Sequence, residues 1–141
     1  MSVRRALFTP RGFLITGGIV LLVLGLLGFY FLNNPANTFF WLTTGENVAH
    51  VTLAVVALAA VIVPGLKSAM EPYYRWLVLL VGFLALFFVM YGFLLPQGSP
   101  GALNTFGLAN LEFGDTLLHL VVAIWAFIAA YWTPEPSPPG A

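Results

Sequence analysis

Residues 76–95 read WLVLLVGFLALFFVMYGFLL, an apolar run without a charged side chain. A helix that crosses the hydrocarbon core of a bilayer takes about 20 such residues. Three further apolar stretches occupy residues 12–32, 48–63 and 117–132. Together the four runs predict an all-α integral membrane protein, a bundle of four transmembrane helices.

The composition of the 141-residue chain agrees with this fold class. Hydrophobic residues make up 60% of it and charged residues only 7%, against roughly 25% charged residues in soluble domains. Five basic and five acidic residues give a net charge of zero, so we expect no nucleic-acid partner, which would need a clustered basic surface. The chain has no cysteine, which excludes thiol chemistry and thiolate metal ligation.

Flanking polar, proline and glycine residues set the predicted helix limits. We expect helices at about 12–32, 45–64, 73–95 and 114–132, all within a single membrane domain. The segment 133–141 is rich in proline and predicts a tail that is extended, polyproline-like or disordered.

The basic residues predict the orientation of the chain. Arg4, Arg5 and Arg11 precede the first helix, and Lys67 and Arg75 lie between the second and third. The loops 33–45 and 96–114 hold no lysine or arginine. Because basic residues accumulate on the cytoplasmic side, we expect both termini inside the cell and these two loops outside, in a prokaryotic plasma membrane.

A short motif occurs twice and contains both histidines of the chain. Gly45-Glu46 is followed by His50, Ala54, Ala57 and Ala60, and Gly114-Asp115 by His119, Ala123, Ala126 and Ala129. The spacing is the same in both copies. We interpret the match as a duplicated helical hairpin, which predicts a pseudo-two-fold axis along the membrane normal; chance similarity between alanine-rich helices is the alternative.

One interpretation of the motif is structural. Successive residues of a helix are about 100° apart, so each copy places its acid, its histidine and two alanines in one stripe. Small residues let membrane helices pack closely, and the acids cap the helix N-termini, with Thr43 and Glu46 at the spacing of a capping box. An acid four residues before a histidine is also within hydrogen-bonding reach.

The same stripe also fits a cofactor. A neutral imidazole can ligate haem iron or a chlorophyll magnesium, and the acid one turn earlier would fix the tautomer of the ring. Di-metal bundles use Glu-x-x-His spacing, which neither copy has, so we assign no metal site. The candidate ligands are His50 and His119, with Glu46 and Asp115 as orienting acids and Ala54, Ala57, Ala123 and Ala126 as the slot for a flat ring.

The segment Glu46-Asn47-Val48-Ala49-His50, followed by a helix of alanine, valine and leucine, resembles small bacterial four-helix integral membrane proteins of unknown function. These proteins carry a similar Asn-x-x-His start to a membrane helix. Asn47 matches that pattern, whereas Thr116 in the second copy departs from it. The resemblance implies the four-helix topology and carries no activity with it.

The middle of each predicted span lacks charged residues, which disfavours a transporter, a channel or an intramembrane hydrolase. We therefore expect no enzyme but an accessory subunit of a larger membrane complex. Respiratory and photosynthetic electron-transfer complexes commonly contain such subunits, so the expected partners are lipids and other integral membrane subunits. A carrier of haem b or a chlorophyll-type pigment is the alternative.

Overall fold

The computed structural model describes residues 3–94 and 112–132. Most of the predicted outer loop 96–114 and the whole tail 133–141 lie outside the described residues. Regular structure in the described part is entirely helical, which confirms the all-α prediction. Four helices are long and apolar enough to cross a membrane: Pro10–Leu32, Thr44–Ile62, Pro64–Leu94 and Phe113–Tyr131. The chain is therefore compatible with an integral membrane protein.

The described part contains six α-helices. They are α1 (Val3–Phe8), α2 (Pro10–Leu27), α3 (Thr44–Ile62), α4 (Pro64–Met70), α5 (Tyr74–Leu94) and α6 (Phe113–Tyr131). A π-helical turn, Gly28–Leu32, extends α2. The short helices α1 and α4 were not expected from the sequence, because neither contains a long apolar run.

Local sequence explains where the helices begin and end. The Thr9 hydroxyl accepts a hydrogen bond from the amide of Gly12 at 3.1 Å, and Pro10 occupies the first turn of α2. Proline suits this position because the first amides of a helix have no partner within it. Val63 is extended, with ψ of 120°, and separates α3 from α4, which Pro64 starts.

The bundle is built from two helical hairpins, because α2 packs mainly against α3 and α5 mainly against α6. Glycines permit the close approach within each hairpin. A methyl group added at Gly25 would lie 2.8 Å from Val51, and one added at Gly82 would lie 3.2 Å from Ala126. Contacts of α2 with α5 and α6 join the hairpins.

The two ends of the bundle differ in charge. We call the end at which α3 and α6 begin the polar end, and the end at which α2 and α5 begin the basic end. All five basic residues belong to α1, to α4 or to the first turns of α2 and α5. Glu46 and Asp115, in the first turns of α3 and α6, lie at the polar end with Glu112. No basic residue therefore lies at the polar end beside the two motif acids, Glu46 and Asp115.

Candidate functional site at the polar end

The loop of residues 33–43, which we call the strap, is shaped by asparagine side chains. Oδ1 of Asn37 accepts hydrogen bonds from the amides of Phe39 and Phe40, each at 3.1 Å. The amide of Asn37 itself donates to the carbonyl oxygen of Asn34 at 2.9 Å. Asparagine favours such turns because its side chain replaces a missing backbone partner. The strap is thus an ordered element.

The strap leaves its own hairpin and contacts the start of α6. The amide of Gly114 donates to the carbonyl oxygen of Phe39 at 2.9 Å, and the amide of Trp41 donates to Oε2 of Glu112 at 3.2 Å. A methyl group added at Gly114 would lie only 2.6 Å from the Phe39 oxygen. The glycine of the second motif copy is therefore required by this close approach, and the strap links the two hairpins.

The start of α3 carries the predicted capping box. The amide of Thr43 donates to Oε2 of Glu46 at 2.7 Å, and the Thr43 hydroxyl accepts from the amide of Glu46 at 3.3 Å. This reciprocal pair satisfies backbone groups that the helix leaves open. The prediction for Thr43 and Glu46 is confirmed, and the Glu46 side chain is committed to the backbone.

The start of α6 corrects the expectation that both acids cap their helices. Glu112 stands where the first copy has Thr43, so no hydroxyl is available for a capping box, and no side chain caps α6. Asp115 is fully buried. Neither of its carboxylate oxygens has a hydrogen-bond partner among the described residues. Asp115 is therefore a buried acid without a capping role.

The two histidines also differ. Nδ1 of His119 lies 2.9 Å from the backbone carbonyl oxygen of Asp115 and 3.5 Å from its Oδ2, so the ring is hydrogen-bonded to the backbone of Asp115, while the carboxylate lies beside the ring without a hydrogen bond in the described part of the chain. The His119 ring lies against the Phe88 ring, with 5.2 Å between centroids. Nδ1 of His50 is buried without a hydrogen-bond partner in the described part of the chain. The expected Glu46 contact is missing because the capping box holds that side chain.

The fold brings the side chains of both motif copies together. His50 and His119 come from different hairpins but lie close enough for their charges to interact. Glu46 likewise interacts with Asp115 and with Glu112. The polar end thus gathers three acids and two histidines from α3, α6 and the residue before α6. Sequence reasoning identified four of these groups by their repeat and missed Glu112.

Glu112 lies just before α6, outside the spanning helices, and the strap covers it. Burial raises the pKa of the Glu112 carboxyl above its ordinary value, while the hydrogen bond from the Trp41 amide opposes that change. Partial burial makes a carboxylate costly in its charged form. The site therefore holds an excess of acidic groups.

The alanines predicted as a slot for a flat ring are mostly in contact with other helices. Ala54 and Ala126 have no exposed surface, Ala123 is 2% exposed, and Ala57 is half-buried. Ala126 faces Gly82 of α5. These contacts are the close helix packing of the structural interpretation; ligation of a cofactor by the histidines stays a prediction.

A parallel contact occurs at the polar end of both hairpins. A methyl group added at Gly28 would overlap the Asn47 side chain, and one added at Gly92 would overlap the Thr116 hydroxyl. Asn47 and Thr116 occupy the same position in the two copies, although only Asn47 also donates to the carbonyl oxygen of Leu42, at 3.2 Å. The equivalence favours hairpin duplication, which stays a prediction.

Comparison with known proteins adds no relative. No family model, curated protein or solved structure matches this chain. Among residues 3–94 and 112–132, no group of three or more histidine, cysteine, aspartate or glutamate side chains is arranged to hold a metal ion. The site is thus characterised by its own geometry, a polar cluster shared between two hairpins and covered by the strap.

Proposed function

We propose that this protein is a non-catalytic accessory subunit of a larger membrane complex, of the respiratory or photosynthetic electron-transfer kind. Its role is to pack beside another integral membrane subunit. The orientation that goes with this proposal places both termini in the cytoplasm and the strap outside, in a prokaryotic plasma membrane, as the distribution of basic residues predicts.

The observation that carries the proposal is a ridge of large side chains along α5. We define this ridge by Trp76, Leu80, Phe83, Phe87, Met90 and Leu94, whose exposed fractions are 68, 55, 59, 57, 50 and 69%. Their separations of four and three residues alternate, which keeps them in one row on the helix surface. Such a row fits the groove between side chains of a neighbouring helix.

The ridge differs from the outward face of α3. On α3 the exposed side chains are smaller and aliphatic, as at Val48, Val55 and Val56. Aromatic rings bury more area than valine and gain more from a fixed, well-packed neighbour. Association between membrane helices depends on such packing because lipid already satisfies apolar surface. The α5 face is therefore the expected contact with another subunit, and the α3 face the expected contact with lipid.

Mild detergent extraction tests the proposal. The native protein is expected to purify with one or more membrane subunits in a fixed ratio, measured by quantitative mass spectrometry. The double substitution Phe83→Ala and Phe87→Ala should release them, whereas Val55→Ala and Val56→Ala, equally exposed but on α3, should retain them. A native protein that purifies alone in every mild detergent would contradict the proposal.

A cofactor carrier is a second candidate, favoured by one observation. His50 and His119 both lie at the polar end, near enough for their charges to interact, and a carrier would use them as two axial ligands of a haem b or as two pigment sites. Nδ1 of His119 is already oriented by the backbone carbonyl oxygen of Asp115, and outer contacts of this kind fix a ligating ring.

An absorption spectrum of the purified protein separates the two candidates. A carrier is expected to show a Soret band that His50→Ala and His119→Ala each abolish. A colourless protein that stays folded would contradict the carrier and leave the accessory role standing.

A further inference from the structure

The basic end carries a surface that the proposed function does not use. Arg4, Arg11 and Arg75 are exposed there, and Lys67 is half-buried. Glu71 is the one acid that accompanies them in the described part of the chain. This end is therefore cationic, in contrast to the polar end with its three acids.

Helix α1 is fixed to the bundle by interior side chains. The Thr16 hydroxyl of α2 donates to the carbonyl oxygen of Ala6 at 3.0 Å. The indole N–H of Trp125 on α6 donates to the carbonyl oxygen of Leu7 at 2.6 Å. The Arg4 side chain is exposed on the same short helix. Helix α1, which carries Arg4, is thus hydrogen-bonded to α2 and α6, one helix from each hairpin.

Helix α4 is held in a similar way. The Tyr74 hydroxyl donates to the carbonyl oxygen of Ala60 at 2.9 Å and approaches that of Lys67 at 3.4 Å. On α4 the exposed apolar Leu66, at 47%, accompanies the basic Lys67, and Tyr73, at 57%, is exposed just before α5. Basic and apolar side chains side by side are typical of the interface between headgroups and acyl chains.

Two further arginines lie at the basic end, in the first turns of α2 and α5. Arg11 is close enough to the Tyr74 hydroxyl for its charge to act on it, so the start of α2 adjoins the start of α5. The guanidinium of Arg75 lies over the Tyr131 ring, 4.9 Å from its centroid. The ring positions this guanidinium without neutralising it, so its charge stays available to an anion.

We propose that the basic end binds the phosphate headgroups of anionic phospholipids, through Arg11 and Arg75 with Arg4 and Lys67 beside them. Arginine pairs with phosphate through two parallel hydrogen bonds, and apolar side chains on α1 and α4 meet the acyl chains of the same lipid. A phospholipid can bind the basic side chains through its phosphate and the apolar side chains through its acyl chains, whereas a soluble anion can bind only the basic side chains.

The test is a binding titration on the full-length protein in neutral detergent, with phosphatidylglycerol and phosphatidylcholine as probes and native mass spectrometry as readout. We expect phosphatidylglycerol to bind more tightly. Arg11→Gln and Arg75→Gln should each weaken it roughly fivefold, the equivalent of ~1 kcal/mol per basic residue near an anionic surface. Phosphatidylcholine binding should stay unchanged.

Two variants separate charge from structure. Arg11→Lys with Arg75→Lys keeps the charge but not the paired hydrogen bonds, and should restore part of the preference, whereas Glu112→Gln, at the opposite end, should leave it untouched. Loss of the preference in Glu112→Gln, or no rescue by the lysine variant, would overturn the proposal. If the glutamine variants do not fold, the unmodified protein still tests the proposal. Added salt should reduce its preference for phosphatidylglycerol, and a preference that salt leaves unchanged would overturn the proposal.

Inorganic phosphate distinguishes a lipid from a free anion. At the same concentration it should fail to displace phosphatidylglycerol, because it lacks the acyl chains that α1 and α4 contact. Equal competition would assign the surface to free phosphate, and equal binding of both phospholipids would remove the electrostatic site altogether. Neither result bears on the α5 ridge, so the accessory role is tested separately.

Discussion

The starts of α3 and α6 carry the same motif and use it differently. In α3 the acid accepts a backbone amide in a capping box and leaves the histidine without a partner at Nδ1. In α6 the acid is fully buried and lies beside its histidine. One residue accounts for the difference, since Thr43 before α3 is replaced by Glu112 before α6.

This comparison teaches that a repeated motif need not repeat its role. The Glu46 carboxylate stabilises the helix that carries it, as an acid in a first turn normally does. The Asp115 carboxylate is buried beside two other acids without a hydrogen bond in the described part of the chain. Residues that cost stability are commonly kept for function, so α6 is the copy in which to look for one.

The largest effect is expected from a methyl group at Gly28. Gly28→Ala would force apart α2 and Asn47, whose side chain is fully buried and also bound to the Leu42 carbonyl oxygen. Overpacking of this kind costs about 1–3 kcal/mol. Gly92→Ala should cost less, because a methyl group added there overlaps the Thr116 hydroxyl less deeply than one added at Gly28 overlaps the Asn47 side chain.

The free energy of unfolding in detergent measures both changes. Gly65→Ala serves as the control, because nothing lies within 4 Å of a methyl group added there. A Gly28→Ala protein as stable as the Gly65→Ala protein would contradict the packing described for the first hairpin.

The two motif acids should respond with opposite signs. Glu46→Ala is expected to lower the free energy of unfolding by about 1 kcal/mol, because a cap is lost. Asp115→Asn is expected to raise it by about 1 kcal/mol at alkaline pH, because a buried carboxylate with no hydrogen bond in the described part of the chain becomes a neutral amide. Thermal and denaturant unfolding report both values, and a loss of stability in Asp115→Asn would show that its carboxylate has a favourable partner.

The histidines should differ by a smaller amount. His119→Ala removes a hydrogen bond and a ring contact with Phe88, and should cost about 1 kcal/mol. His50→Ala removes a ring whose Nδ1 has no partner in the described residues, and should cost less. Equal losses in the same unfolding assay would mean that the two copies are held equivalently.

The smallest effect concerns pH. Burial raises the pKa of Glu112 above its unfolded-state value, so the folded state holds the proton more tightly than the unfolded chain does. Stability should therefore fall as pH rises from the ordinary value towards the raised one, and change no further above it. Glu112→Gln should flatten this slope in unfolding curves recorded across that range, and an unchanged slope would assign it to another group.

Much of the fold was predictable because it depends on local signals. Four apolar runs of sufficient length predicted the spanning helices, and the Thr43–Glu46 spacing predicted the capping box. The strap was not predicted, because its contacts join Phe39 and Trp41 to residues more than seventy positions later. The missing cap at Asp115 does have a signal in the sequence, since Glu112 and not a hydroxyl residue stands three positions before it.

A photoreactive residue on α5 tests the central claim, that this chain packs beside another membrane subunit. We place it at Phe87 and, as a control of similar exposure on α3, at Val56; the exposed fractions are 57% and 62%. Irradiation of intact membranes should give a discrete adduct with another integral membrane protein from position 87 and only lipid adducts from position 56. Lipid adducts alone from both positions would contradict the accessory role.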